Sequence, residues 1–290
     1  MTVPTMIEGL DRATVLEWFR RIDEGPYATL ALGERIAYPN LELFTTLAAA
    51  AATTARVQLM ATVVVLPAHP AIEVAKMAAT IDVLSAGRLR LGVGIGGRDE
   101  DYRALQAPFD HRHQRLDDQV VTMQRVWRGL EPMVDMHPVG PRPVQREGIP
   151  LWSGALGPKA IARSARWATG VAGFVLDPLT ERMDRTVRAI HQAWTDAGRD
   201  EPPHVTTSFW YALGPEGPTR LQAYAQRYLG IFGAELAGAM AASCSIDSIG
   251  ALGRALDLAQ EAGFDEVILV PTSPDPRELD AVEELLAERV

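Results

Sequence analysis

Cysteine is nearly absent from this chain. The single one, Cys244, excludes an internal disulfide framework and suits a reducing compartment. With no nucleophile motif around it, it reads as small apolar filler. Lysine is almost as scarce, with only Lys76 and Lys159 among 28 basic residues. Arginine does not make up the difference, because the net charge is −9 at pH 7. That balance argues against a nucleic-acid partner, which would need a basic face. Long hydrophobic runs are missing too. The stretch "LFTTLAAAAATTA" is the longest, and it is too short and too rich in threonine to span a membrane. The start, "MTVPTMIEGLDR", has neither the charged region nor the apolar core of a signal peptide, so a cytoplasmic protein with no membrane partner is expected. No Gly/Ser linker, composition shift or internal repeat divides the chain, and residues 1–290 are expected to form a single domain. A metal centre is not expected. His111 and His113 stand two apart, and no third ligand lies at a recognisable spacing.

What the chain does have is alternation. "DRATVLEWFRRIDEG" opens on Asp11 as an N-cap and sets Val15, Trp18, Phe19 and Ile22 on one helical face. The strand "YATLAL" follows, then the helix "NLELFTTLAAAAATTA" with Asn40 as its expected cap. "VQLMATVVV" is too apolar to alternate, as befits a parallel strand buried on both faces. The pattern runs on through the helix "HPAIEVAKMAATIDVLSAG", with Gly87 past its end, and the strand "RLRLGVG". A polar segment, "GGRDEDYRALQAPFDHRH", then leads to a helix starting near Arg112. Residues 131–150, rich in proline and glycine, read as an insertion loop. Further strand–helix pairs end with "DSIGALGRALDLAQEAG" and "FDEVILVP". If "VPTM" is a short first strand, the strands number eight, each followed by helix. The expected fold is therefore α/β, a (β/α)8 TIM barrel with loop insertions at the C-terminal face of its strands.

One stretch, "LRLGVGIGGRDEDY", holds Gly92, Gly94 and Gly97 in the spacing G-x-G-x-x-G. A dinucleotide-binding fold would turn from these glycines directly into a helix whose amides hold a pyrophosphate. Here they meet an acidic segment containing a proline instead. The acid expected about 20 residues on would be Asp117 or Asp118, inside a helix. In a barrel, Gly92, Gly94, Gly96 and Gly97 end a strand at the active-site face. There they either admit a flat ligand or another backbone, or make room for packing.

"HPAIEVAKMAATIDVLSAGRLRLGVGIGGRDEDY" resembles the bacterial luciferase-like monooxygenase and oxidoreductase superfamily, as do "VGPRPVQREGIPLWSGALGPKAIARSARWATG" and "AGFDEVILVP". Order and spacing across these blocks carry the likeness over nearly the whole chain. "ALGERIAYPN" and "TVVVLPAHP" look most like its F-420-dependent branch. The resemblance implies a luciferase-like barrel, a homodimer and an oxidoreductase. Such an enzyme moves a hydride between the deazaflavin coenzyme F-420 and a small-molecule substrate. FMN with oxygen, in a monooxygenase, is the alternative cofactor chemistry, and a degenerate barrel that binds a ligand without turnover is a third reading.

The residues implied follow from the same matches. Gly154, Ala155, Leu156 and Gly157 match the family's cofactor loop, with Pro158 suited to a first helical position and Lys159 adding charge for a phosphate. Gly94 and Gly96 would approach the cofactor. A non-prolyl cis peptide behind the cofactor ring is implied at Val63–Val64. Glu34 and Arg35 stand where the family has an acid followed by His, near the reactive ring edge. Glu34 can accept a hydrogen bond or move a proton. Arg35 stays charged and can bind an anionic ring or substrate instead. His69, Arg98 and Tyr102 would line the substrate pocket. Gly97 replaces a Glu found in some dehydrogenases of the branch. The loops at 96–111, 131–148 and 230–246 would shape the substrate site.

Overall fold

The computed structural model describes residues 1–4 and 6–289. Its apolar runs become strands β1 (Thr29–Leu32), β2 (Gln58–Val65), β3 (Leu89–Gly94), β4 (Leu151–Ser153), β5 (Gly170–Ala172), β6 (His204–Tyr211) and β7 (Glu266–Pro271). They pair in sequence order in one sheet, and every neighbouring pair is parallel. The first strand read at "VPTM" includes residue 5, which lies outside the described residues. What the structure shows is a single parallel bridge, Thr2 to Ala31, rather than an eighth strand. The bridge has consequences for the barrel. The Thr2 amide donates to the Leu269 carbonyl at 2.8 Å, and the Ala31 amide donates to the Met1 carbonyl at 2.9 Å. The first residues thus span the gap between β1 and β7 and nearly close the barrel.

The helices wrap outside, and local chemistry sets their ends. Helix α1 (Arg12–Glu24) begins where Asp11 accepts the Thr14 amide at 2.8 Å, and it buries Trp18, Phe19 and Ile22 against the core. Helix α2 (Leu43–Thr53) is capped by Glu42, not by Asn40 as expected. The Glu42 carboxylate reaches both the Phe44 and Thr45 amides, whereas the Asn40 amide is turned to the Leu41 carbonyl. Helix α3 (Ala71–Leu84) ends before Gly87, whose φ of +84° suits glycine. The polar segment after β3 holds an additional short helix, α4 (Asp99–Ala104). Three acids in its first turn complement the helix dipole. Helix α5 (Arg112–Trp127) follows. Then come α6 (Pro158–Ser164), α7 (Met183–Asp196), α8 (Gly217–Leu229), α9 (Ala234–Ala242), α10 (Ile249–Ala262) and α11 (Glu278–Ala287).

Residues 131–150 form neither helix nor strand, as expected for the insertion loop. Buried Asp82 anchors this segment by accepting the Val144 amide at 2.7 Å and the Gln145 side-chain amide at 2.7 Å. Among the described residues no helix is long and apolar enough to cross a membrane.

Candidate active site

The C-terminal ends of the strands gather the residues singled out above, and β2 sets their floor. Its ladder with β3 runs Ala61 to Leu91, then resumes at Val64 to Val93, so β2 carries one extra residue in a bulge. Within this bulge lies a cis peptide at Thr62–Val63. The resemblance had implied Val63–Val64, one bond later. Val64 is already back in register with Val93 and buried, so the irregular peptide precedes it.

The bulge explains the glycines. A Cβ at Gly94 would lie 2.9 Å from Val63 Cγ2, and one at Gly154 would lie 3.0 Å from the same methyl. A Cβ at Gly92 would meet Val63 Cγ1 at 3.0 Å and also collide with the Ala61 carbonyl oxygen. At Gly96, whose φ is +62°, it would lie 2.7 Å from Val65 Cγ1. Glycine on β3 and after β4 therefore makes room for the valines of β2. Gly97 and Gly157 differ, for a Cβ there would meet nothing within 4 Å.

Above this floor the acid at the end of β1 finds a partner 35 residues away. Glu34 is almost wholly buried. One carboxylate oxygen accepts the Val65 amide at 2.6 Å and the other lies 3.0 Å from His69 Nε2. Burial opposes a charge on His69, but the hydrogen bond and negative charge of Glu34 outweigh it and raise the His69 pKa above its ordinary value. Gln119 fixes the His69 backbone by donating to its carbonyl at 2.7 Å. The structure thus brings Glu34 and His69 together as one proton-holding pair.

Arg35 turns the other way. Its guanidinium carbon lies 3.9 Å from the centre of the Tyr38 ring and 5.2 Å from that of Tyr228. Arg98 approaches the opposite chain segment, with its guanidinium 4.7 Å from the Tyr228 ring and Nη2 donating to the Tyr228 carbonyl at 3.0 Å. Burial, then the nearby Arg98 charge, push the Arg35 pKa down. Tyr228 also packs on Trp210, 5.1 Å between ring centres, so α8 and β6 form an aromatic wall beside the two cations.

Asp101, Tyr38 and Tyr228 did not stand out in the sequence. Asp101 is buried, and one of its oxygens accepts the amides of Ile36 at 3.0 Å and Ala37 at 2.8 Å. It thereby pins to α4 the loop that carries Glu34 and Arg35. The acidic run "RDEDY" was the available signal. Tyr102 is fully buried. Its hydroxyl donates to the Ile95 carbonyl and its ring stands edge-on to Phe109, so it supports the glycine turn from beneath.

The loop after β4 leads into α6 with Gly157 as N-cap and Pro158 first in the helix. The Ala155 amide donates to Ser153 Oγ at 3.2 Å, while Leu156 and Lys159 are exposed. A cleft between the ends of β3 and β4 is lined by Gly94, Ile95, His113, Gly154, Ala155 and Trp167. Gly94 and Gly154 thus face both this cleft and Val63.

A family model described as luciferase-like monooxygenase matches residues 5–245. An uncharacterized protein of Mycobacterium tuberculosis is 33% identical over 175 residues, 57% of this chain and 60% of that protein. The chain therefore spans about three fifths of that curated relative. Among solved structures, a coenzyme F-420 dependent tetrahydromethanopterin reductase from Methanopyrus kandleri matches with a TM-score of 0.73 at 17% identity, covering 100% of this chain and 96% of that one. The oxygenating constituent of 3,6-diketocamphane monooxygenase from Pseudomonas putida, solved with FMN, matches with a TM-score of 0.76 at 13% identity, covering 99% and 96%. At such identities the structural likeness is one of fold.

Proposed function

The chain belongs to the luciferase-like monooxygenase family, and from that membership we propose that it is an oxidoreductase moving a hydride between coenzyme F-420 and a small organic substrate. The observation that carries the reading is the Glu34–His69 pair, 3.0 Å apart beside the β2 bulge at the mouth of the barrel. A flat ring fits the chemistry of this surface. Val63 is half-buried between two positions that lack side chains, Gly94 and Gly154, and a cleft opens beside them.

Gly154 to Gly157, with Lys159, are the residues that would hold the cofactor's phosphate, and Val63 with Gly94 and Gly96 would back its ring. When bound, the deazaflavin supplies the hydride chemistry. The protein's own part is to exclude water and hold a proton. Glu34 keeps His69 in one orientation and favours its charged form, so the pair can give or take a proton where the substrate carbonyl or hydroxyl would sit. Asp101 keeps the β1 loop in place for this.

Titration with F-420 and with FMN separately, followed by quenching of tryptophan fluorescence, tests the reading. Tight F-420 binding with weak FMN binding is expected. Preference for FMN would favour the oxygen-using alternative, which the FMN-bound Pseudomonas putida structure supports. Binding of neither would overturn the oxidoreductase reading and leave a barrel that holds a ligand without turnover.

A further inference from the structure

Among the described residues Arg35 is a buried cation with no salt-bridge partner, and Asp101 is the acid whose charge acts on it. The residue is only 8% exposed, and its Nε and Nη1 are buried with no hydrogen-bond partner. Arg98, itself half-buried, repeats the pattern in part, since its Nε is buried with no partner among the described residues while Nη2 donates to the Tyr228 carbonyl. The two guanidiniums flank the same ring, that of Tyr228. Several acids near them are engaged elsewhere. Glu34 holds His69 and the Val65 amide, Asp101 holds two backbone amides, and Glu8 pairs with Arg227. Arginine cannot shed its charge to escape burial as lysine can. Two adjacent cations with unused N–H groups are unfavourable in the free protein, and an oxyanion between them would relieve both the repulsion and the missing bonds.

We propose that Arg35 and Arg98 form an oxyanion subsite at the C-terminal face of the barrel, so that the substrate is a small organic acid held by its carboxylate or phosphate. Calling that anion a substrate rests on the oxidoreductase reading, whereas the existence of the subsite does not.

Calorimetric titration with benzoate, benzamide and inorganic phosphate tests the subsite, on the protein alone and with F-420 or FMN added. Benzoate or phosphate should bind and the neutral benzamide should not. Arg35→Met and Arg98→Met should each weaken the anion about 10- to 100-fold, as expected for a charged hydrogen bond. Arg35→Lys should keep part of the affinity, and cofactor affinity should be unchanged throughout. Arg35→Met gives up its contacts with Tyr38 and Tyr228 along with a buried charge, so the urea midpoint and circular dichroism of the variant are read beside the titration to separate loss of binding from loss of fold. Phosphate binding without benzoate binding would identify a phosphate ester, and the reverse a carboxylate. Equal binding of benzoate and benzamide would overturn the proposal. So would loss of cofactor affinity in the methionine variants with anion binding intact, since the cations would then serve the cofactor. Failure of both cofactors to bind would sink the oxidoreductase reading, and the benzoate titration would still decide the subsite.

Discussion

The fit between Val63 and its glycines can be tested by a double-mutant cycle. Gly94→Ala puts a methyl 2.9 Å from Val63 Cγ2, closer than two methyls can sit, so the floor of the site must shift. Overpacking of this kind costs about 1–3 kcal/mol. Val63→Ala alone removes two methyl groups at about 0.8 kcal/mol each when fully buried, and less here because Val63 is half-buried. In the double variant the added methyl occupies the space vacated by Val63. Its stability should match that of Val63→Ala, a favourable coupling of about 1–3 kcal/mol, the full cost of Gly94→Ala. Gly154→Ala should be milder, since its nearest contacts are methyls at 3.0 and 3.1 Å that can move slightly. Gly92→Ala is the control. Its Cβ also meets the Ala61 carbonyl oxygen, which no change at Val63 can remove. Urea unfolding of the four single variants and the doubles, compared at constant m-value, reads the couplings. Additivity of Gly94→Ala and Val63→Ala to within about 0.5 kcal/mol would refute the packing argument, as would equal rescue of Gly92→Ala.

Two further changes probe the β1 loop. Glu34→Gln removes what raises the His69 pKa and leaves the burial that lowers it, so NMR titration should show the imidazole pKa falling below its parent value. The sign for stability follows from the raised pKa. The charged pair stabilises the parent fully below the unfolded histidine value of about 6.5, and its contribution fades as pH rises through the folded value. The gap in stability between parent and Glu34→Gln should therefore narrow as pH rises, and a gap that widens would contradict the pairing. Asp101→Ala strips the acceptor from the Ile36 and Ala37 amides at a cost of about 1–3 kcal/mol. Hydrogen exchange at those two amides should accelerate, with Asp101→Asn in between, while unchanged protection would show that another group holds the loop.

The barrel was legible because its signal is local and repeated. Runs such as "VQLMATVVV" and "FDEVILVP" are too apolar for a solvated face, and helical stripes separate them. The site was legible in parts. Glu34, Arg35, His69 and Arg98 lie shortly past the ends of β1, β2 and β3. What no local pattern carries is who meets whom. The approach of Arg35 to the Tyr228 ring joins residues 193 positions apart. Residues 36 and 37 are held by Asp101 from α4, a contact across more than sixty positions. The glycines illustrate the same limit. Sequence favours ligand approach over internal packing at the β3 glycines, and only Val63, from the neighbouring strand, shows that Gly94 and Gly154 also make room for a side chain. Tyr102, in a run of charges, gave no hint that it would be fully buried, because its burial depends on Phe109 and the β2 end closing over it.

The charge of the site follows from where its acids are used. The chain as a whole carries −9, yet the mouth of the barrel holds two guanidiniums with N–H groups to spare. At a distance that net charge repels a small anion, and at physiological salt the repulsion is screened beyond about 8 Å. Attraction therefore begins only once the ligand is inside, where hydrogen bonds to buried donors are strong. An anion held in this way gains little from electrostatic steering. Its association rate should rise with moderate salt, as repulsion from the acidic surface is screened, while its dissociation rate, set by Arg35 and Arg98 within the pocket, should change little. Stopped-flow benzoate binding across a salt series reads both rates. An association rate that falls steeply with salt would mean that the anion is captured at the surface, and that the buried cations are not what it meets first.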